Sequence, residues 1–220
     1  MKVLITGGLS NLGSAIAKVF YENGWDVFVT SREKKNFEYG SVLEMDLENA
    51  ESISECRKHF DSLDVLINNA GIFTEGLQEN LPEEDFDKVF NVNVKGLFLA
   101  TKAFLPLLKV SNGAIVNISS INALHPGFGG TAHYDASKGA VSSYTASLAA
   151  ETGLRVNAVA PGLIDSGRLQ GSDLDKYYCS HSVKKSMVNP EDIAKTVYFL
   201  AVSEGIYGQT ITVDNGYLLF

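Results

Sequence analysis

Cysteine is scarce in this chain: Cys56 and Cys179 are the two in 220 residues, and no Cys-x-x-Cys occurs. Thiolate metal sites need clustered cysteines, and the four histidines have no paired ligand spacing, so no structural metal is expected. Long apolar runs are missing as well. None approaches the roughly 18 residues of a membrane-spanning helix, and the apolar stretch in Met1-Lys-Val-Leu-Ile-Thr is too short for a secretory signal. A reduced, cytoplasmic protein is therefore expected. Positive charge is in deficit, with 18 Lys and Arg against 26 Asp and Glu, a net charge of −8, and no Lys/Arg cluster. Nucleic-acid binding wants a basic stripe, so neither nucleic acid nor membrane is an expected partner. No internal repeat, low-complexity tract or linker divides the chain, and the length suits one domain over 1–220.

What is present is alternation. Short β-branched apolar runs at Lys2–Thr6, Trp25–Thr30, Ser41–Met45, Leu63–Asn68, Gly113–Ser119, Arg155–Ala160 and Gln209–Val213 predict seven strands. Helical periodicity fills the gaps at Ser14–Tyr21, Ala50–Phe60, Pro82–Leu108, Tyr134–Glu151 and Pro190–Ser203. Strands alternating with helices of this length predict an α/β fold: a Rossmann-like, doubly wound, mainly parallel seven-stranded sheet with helices on both faces. The segment Arg32–Gly40 is too short and polar for a full crossover helix.

Two motifs carry chemistry. Thr6-Gly-Gly-Leu-Ser-Asn-Leu-Gly13 lies between the first strand and the first helix, where glycines let a pyrophosphate approach backbone N–H groups at the positive end of the helix dipole. Tyr134-Asp-Ala-Ser-Lys138 puts a phenol and an ammonium one helical turn apart, so that the lysine charge is expected to lower the tyrosine pKa toward neutrality. Tyr134 is thus a candidate general acid/base.

With Asn68-Asn-Ala-Gly71 after the fourth strand and Pro161-Gly162 after the sixth, these motifs occur in an order that resembles the short-chain dehydrogenase/reductase family, in its small single-domain branch, from Lys2 to about Tyr217. The resemblance implies an NAD(P)-dependent oxidoreductase acting on a small carbonyl or alcohol. It implies cofactor contacts at Gly7, Asn11, Leu12 and Gly13, at Asp46 and Leu47, at Asn69, Ala70 and Gly71, and at Pro161, Gly162 and Ile164. Asn11 stands where a third glycine is usual; asparagine best tolerates the left-handed backbone expected there. The catalytic set implied is Asn93, Ser120, Tyr134 and Lys138. Asn93 corresponds to the family asparagine whose bent helix holds a water leading from the lysine to solvent. Ser120 is the second serine of Ser119-Ser120, and Ser119 remains the alternative, because the spacing from Ser120 to Tyr134 is one residue longer than usual.

The second strand ends in Thr30-Ser31-Arg32 rather than a carboxylate, and an arginine fork matches a ribose 2′-phosphate, so NADP(H) is favoured over NAD(H). Residues Leu163–Met187 are expected to form a substrate lid, hinged near Asp165 and Ser166, with Arg168, Tyr177, Tyr178 and His181 available to the substrate. Its polarity suggests a compact polar carbonyl compound. Family members pair through the helix that corresponds to Tyr134–Glu151, whose surface carries Gly139, Ala140, Ser143, Ala146 and Ala150. A homodimer or homotetramer is expected, with the apolar end Tyr217-Leu-Leu-Phe220 at a subunit contact or folded back on its own domain. A non-catalytic NADP(H)-binding regulator of the same fold is the alternative reading, although it would have no need of Asn93, Tyr134, Lys138 and a strand-end serine together.

Overall fold

Each short β-branched run becomes a strand of one sheet, because its apolar side chains point to both faces and helices cover both. The computed structural model describes residues 1–33 and 35–219; Lys34 and Phe220 lie outside the described residues. Strands β1 (Lys2–Ile5), β2 (Asp26–Ser31), β3 (Ser41–Glu44), β4 (Val65–Asn68), β5 (Ala114–Ile118), β6 (Arg155–Pro161) and β7 (Thr210–Val213) lie in the order β3-β2-β1-β4-β5-β6-β7. The expected mainly parallel sheet is parallel in every pairing, since each connection crosses over and none is a hairpin.

The helices are α1 (Asn11–Glu22), α2 (Ala50–Arg57), α3 (Glu83–Phe90), α4 (Leu97–Ser111), α5 (Ala132–Thr152), α6 (Asp173–His181) and α7 (Pro190–Val202). Between β2 and β3 no helix forms among the described residues, in keeping with the short polar segment there. Alternation along β1 splits the core in two. Val3 and Ile5 pack with Ile16 and Phe20 of α1 and Val197 and Leu200 of α7, whereas Leu4 packs with Ile53 of α2 and Phe104 and Leu108 of α4. Fully burying each such side chain contributes roughly 1.5–3 kcal/mol, which makes a firm floor for the strand ends.

Two elements depart from the sequence expectation. The single helix expected over Pro82–Leu108 is interrupted by a π-helical turn, Asn91–Gly96, between α3 and α4. Such a turn inserts a residue into the helical ladder and redirects the side chains within it, and here Asn93 is buried. Helix α6 falls in the expected lid, where Asp173-Leu-Asp-Lys-Tyr-Tyr-Cys-Ser-His is too polar to carry a clear apolar period; Ser172 caps it by accepting from the Asp175 N–H at 3.1 Å.

At the C-terminal end the chain turns back on itself. Tyr217 stacks on Tyr178 with ring centres 4.8 Å apart and planes at 5°, and Leu218 packs against the core, so these two residues fold back on their own domain, while Leu219 is exposed and Phe220 lies outside the described residues. Strand order reverses between β1 and β4, and a crevice opens there at the carboxyl ends of the strands, where an open α/β sheet binds ligands.

Candidate active site

Thr6, at the end of β1, ties the first turn to the loop after β4: its hydroxyl accepts from the N–H of Asn69 at 3.0 Å and of Ala70 at 2.9 Å. The Asn69 amide answers by donating to the carbonyls of Thr6 at 2.9 Å and Gly7 at 3.0 Å. Gly7 has φ +61°, a conformation that side-chain-bearing residues rarely adopt, and a Cβ there would lie 3.0 Å from the Ala70 backbone. A Cβ on Gly13 would lie 2.5 Å from the Gly7 carbonyl oxygen, so Gly13 lets α1 close onto the turn without itself lining the cleft. Ser10 caps α1 by accepting from the Gly13 N–H.

Asn11 corrects an expectation. It is the first residue of α1 and is not among the residues with positive φ, so left-handed tolerance is not why an asparagine fits; instead its Nδ2 donates to the Asp165 carbonyl at 2.9 Å. The role assigned to backbone conformation belongs to the side chain.

Two adjoining cavities run along the carboxyl edge and share Ser10, Asn69, Gly71 and Ile72. The smaller, about 290 Å³, is lined by Gly7, Asp46, Leu47, Ala70 and the strand-end Thr30-Ser31-Arg32, all within segments the sequence pointed to, and by Glu48 and Lys88, which sequence reasoning missed. The larger, about 710 Å³, is lined by Asn11, Leu12, Ser120, Tyr134, Lys138, Pro161, Gly162 and Ile164. The cleft is therefore elongated, with a glycine turn and a helix N-terminus at its centre and an arginine at one end. That donor set fits a dinucleotide.

Four expected catalytic side chains come together around the larger cavity or just behind it. The Ser119 hydroxyl is buried and engaged, bonding the Lys138 carbonyl at 3.0 Å and the Ser142 hydroxyl at 2.8 Å. Ser120 is the serine beside Tyr134: its hydroxyl lowers the phenol's pKa and accepts from the Asn122 N–H at 3.2 Å. Asn93 does not line the cavity. Its Nδ2 donates to the Ile72 carbonyl at 3.0 Å and the Ser137 hydroxyl at 3.1 Å, and its Oδ1 accepts from the Ile72 N–H at 2.8 Å. A Cβ added to Gly71 would lie 3.1 Å from Asn93 Oδ1 and 3.4 Å from Lys138 Nζ, so both side chains reach the same glycine.

The expected electrostatics are reversed. Burial pushes the Tyr134 phenol up to about 12, with the Ser120 hydrogen bond pulling it partly back and the Asp135 carboxylate raising it further. Burial lowers the Lys138 ammonium to about 8. Its Nζ donates to the Ile118 carbonyl at 2.9 Å and lies 5.8 Å from the Tyr134 ring centre. An ammonium that is itself desolvated and aimed at a carbonyl stabilises a phenolate too little to offset the burial of both groups.

The substrate end also departs from expectation. Arg168, Tyr177, Tyr178 and His181 do not line the cavity; Tyr177 stacks on His181 at 4.2 Å, and Tyr178 is wholly buried against Tyr217. The walls are instead Phe73, Ile121, Phe128, Leu163, Leu169 and Leu174. Leu174 on α6 and Leu169 in the turn before it face the cavity while Tyr177 is exposed, so a segment polar on average still presents leucines inward. The polar composition therefore does not describe the wall, and the inference of a polar substrate falls with it.

The chain's likeness to known proteins agrees with this geometry. The Enoyl-(Acyl carrier protein) reductase family model matches residues 7–218. The 3-oxoacyl-[acyl-carrier-protein] reductase FabG of Rickettsia felis is 36% identical over 234 residues, covering 98% of this chain and 96% of the relative. Among solved structures, the ligand-free aldohexose dehydrogenase of Thermoplasma acidophilum superposes with a TM-score of 0.92 at 29% identity, covering 100% of this chain and 94% of the other. ElxO, solved with NADP bound, superposes with a TM-score of 0.90 at 33% identity, covering 100% and 99%. The chain belongs to the short-chain dehydrogenase/reductase family, NAD(P)-dependent oxidoreductases acting on CH–OH and C=O groups. Among the described residues, no helix is long and apolar enough to cross a membrane.

Proposed function

We propose that this protein is an NADP(H)-dependent oxidoreductase that moves a hydride between nicotinamide and the carbon of a small carbonyl or alcohol, with Tyr134 as general acid/base. The observation that carries this reading is the convergence of Ser120, Tyr134 and Lys138 on the 710 Å³ cavity beside the glycine turn. When bound, the dinucleotide supplies or accepts the hydride. Gly7, Asn11 and Leu12 would hold its pyrophosphate with the α1 N-terminus, which Gly13 lets close onto the turn; Asp46, Leu47, Asn69, Ala70 and Gly71 its adenosine; and Pro161, Gly162 and Ile164 its nicotinamide end. Ser31 and Arg32 at the rim of the smaller cavity would take the 2′-phosphate, and the NADP-bound ElxO supports that choice.

In the direction of reduction, the Tyr134 hydroxyl gives its proton to the substrate oxygen while the Ser120 hydroxyl donates a hydrogen bond to the same atom. A phenol held neutral by burial is the form that step needs. Lys138 positions the nicotinamide ribose, and its pKa near 8 lets it pass a proton at working pH. Asn93 fixes the Gly71–Ile72 backbone against this pair. The reading takes 1–220 as one domain, with Leu163–Met187 as its movable cover. It places the protein in the cytoplasm, where the free thiols of Cys56 and Cys179 are stable. It takes the protein as a dimer or tetramer built on α5, whose Ser143, Ala146 and Ala150 are exposed.

The test is consumption of NADPH with a panel of carbonyl compounds that includes 3-oxoacyl thioesters, and formation of NADPH from NADP⁺ with aldohexoses, the classes named in the two relatives. Turnover that is lost in Tyr134→Phe supports the reading. NADPH binding without turnover of any carbonyl would reject it in favour of the regulator.

A further inference from the structure

The reductase reading leaves open what kind of carbonyl the larger cavity accepts, and its lining answers in terms of charge. Six apolar side chains wall the substrate end, and among the described residues that line the cavity there is one carboxylate, Glu75, and one cation, Lys138. The lysine is already committed to the Ile118 carbonyl at 2.9 Å. No arginine or histidine lines the cavity among the described residues, and Glu75 takes part in none of their salt bridges.

Glu75 is exposed, but its position is held by its neighbours on both sides. The Thr74 hydroxyl lies 2.8 Å from Nε2 of the buried His133, and the Gly76 N–H donates to the Gly130 carbonyl at 2.9 Å. Both anchors lead into the segment that carries Tyr134. Phe73, one residue further back, meets the Tyr134 ring edge to face at 5.0 Å. The carboxylate therefore rides on a backbone pinned to the reacting end of the cleft, at the mouth of an apolar chamber that offers an anion no free cation. Two aromatic rings on the wall, Phe73 and Phe128, add no positive charge.

We propose that Glu75 is a specificity-determining residue that makes this enzyme select uncharged or cationic carbonyl compounds with an apolar skeleton and reject anionic ones. The proposal rests on the reductase reading. It concerns only the charge of the substrate and alters no step of hydride or proton transfer.

A charge series on one skeleton tests it: methyl 4-formylbenzoate, the 4-formylbenzoate anion and 4-(trimethylammonio)benzaldehyde, each reduced with NADPH at low ionic strength. In the unmutated protein, kcat/KM for the anion should lie about three- to tenfold below the ester, the scale of one partly screened like-charge contact, with the cation at or above the ester. The gap should narrow in about 0.2 M salt. Glu75→Gln should raise the anion-to-ester ratio toward unity, and Glu75→Lys should invert the order of anion and cation. Equal turnover of all three by the unmutated protein, or discrimination that persists in Glu75→Gln, overturns the proposal while leaving the reductase reading intact. Failure to turn over any of these or any other carbonyl compound, with NADPH still bound, overturns both.

Discussion

Asn11 at the start of α1 and Asp165 beyond β6 are joined by one hydrogen bond, Nδ2 to carbonyl oxygen at 2.9 Å, across 154 residues of sequence. It fastens the base of the Leu163–Met187 segment to the turn that would hold the pyrophosphate. A single exposed hydrogen bond contributes about 0.5–1.5 kcal/mol, or roughly two- to tenfold in a rate. Asn11→Gly should accelerate NADP⁺ release by that factor and leave the single-turnover hydride step nearly unchanged, as read by stopped-flow fluorescence. A slower hydride step with unaltered release would show that Asn11 does not act as a fastening.

The Tyr134 hydroxyl is proposed to carry the transferred proton, and its removal should leave the fold and NADPH binding in place. Tyr134→Phe is expected to lower kcat at least about a hundredfold, the usual scale for a positioned acid. Ser120→Ala should fall further in kcat than Ser119→Ala, whose hydroxyl is spent on the Lys138 carbonyl and Ser142. Ser119→Ala should register mainly as lost thermal stability. Equal kcat losses in the two serine variants would undo the assignment.

Much of this architecture was legible in the sequence, because period-2 and period-3.6 burial are strong signals when both faces of a sheet are covered. The seven strands, the short polar crossover after β2 and the meeting of Ser120, Tyr134 and Lys138 follow from spacing and resemblance. The apolar period over Pro82–Leu108 reads as one continuous helix, and only the resemblance pointed to a bend at Asn93, which the structure realises as the π turn Asn91–Gly96. The wall of the substrate cavity could not be read. Which side of α6 faces inward depends on how the chain after β6 settles, and average composition pointed to Tyr177 and His181 where Leu169 and Leu174 stand. The electrostatics of Tyr134 failed for a related reason: sequence spacing gives the distance to a charge but not the depth at which both groups are buried.

Arg32 lies at the rim of the smaller cavity with Ser31 and Thr30. Loss of a charge-assisted contact to a 2′-phosphate costs about 1.5–3 kcal/mol, so Arg32→Ala should raise the Kd for NADPH by roughly ten- to a hundredfold and barely change that for NADH. Isothermal titration of both cofactors would measure this. A preference for NADH in the unmutated protein would contradict the assignment of Ser31 and Arg32.

Assembly should depend on the surface around α5. A groove of about 420 Å³ is lined by Phe90, Val94, Phe98, Ala140, Val141 and Tyr144, beside the exposed small residues of that helix. Exposed apolar area of this kind marks an interaction surface, and small side chains let two copies approach closely. Light scattering at micromolar concentration is expected to give a dimer or tetramer for the unmutated protein and a smaller species for Ser143→Arg. A monomeric unmutated protein would refute the assembly.

Lys138 and Tyr134 should leave opposite signatures on stability against pH. Burial lowers the lysine from 10.5 to about 8, so between those values the unfolded chain holds more protons at this position than the folded chain, and stability rises with pH. Burial raises the tyrosine from 10.0 to about 12, so in that window the folded chain holds the extra proton and stability falls as pH rises. Cys56, raised from 9.0 to about 11, acts in the same direction as the tyrosine over its own window. Lys138→Met removes the rising contribution and leaves the others. The stability of the unmutated protein relative to this variant, from urea unfolding, should therefore climb as pH rises from about 8 to 10.5, by at most about 3 kcal/mol in total. A difference that is flat across that range would mean that the lysine is not held in its desolvated position beside the Ile118 carbonyl. Catalysis has its own sign. Reduction draws on a neutral phenol and should be flat through neutral pH, whereas oxidation of the alcohol needs the phenolate and should accelerate as pH rises, and the reverse pattern would rule out Tyr134 as the proton donor.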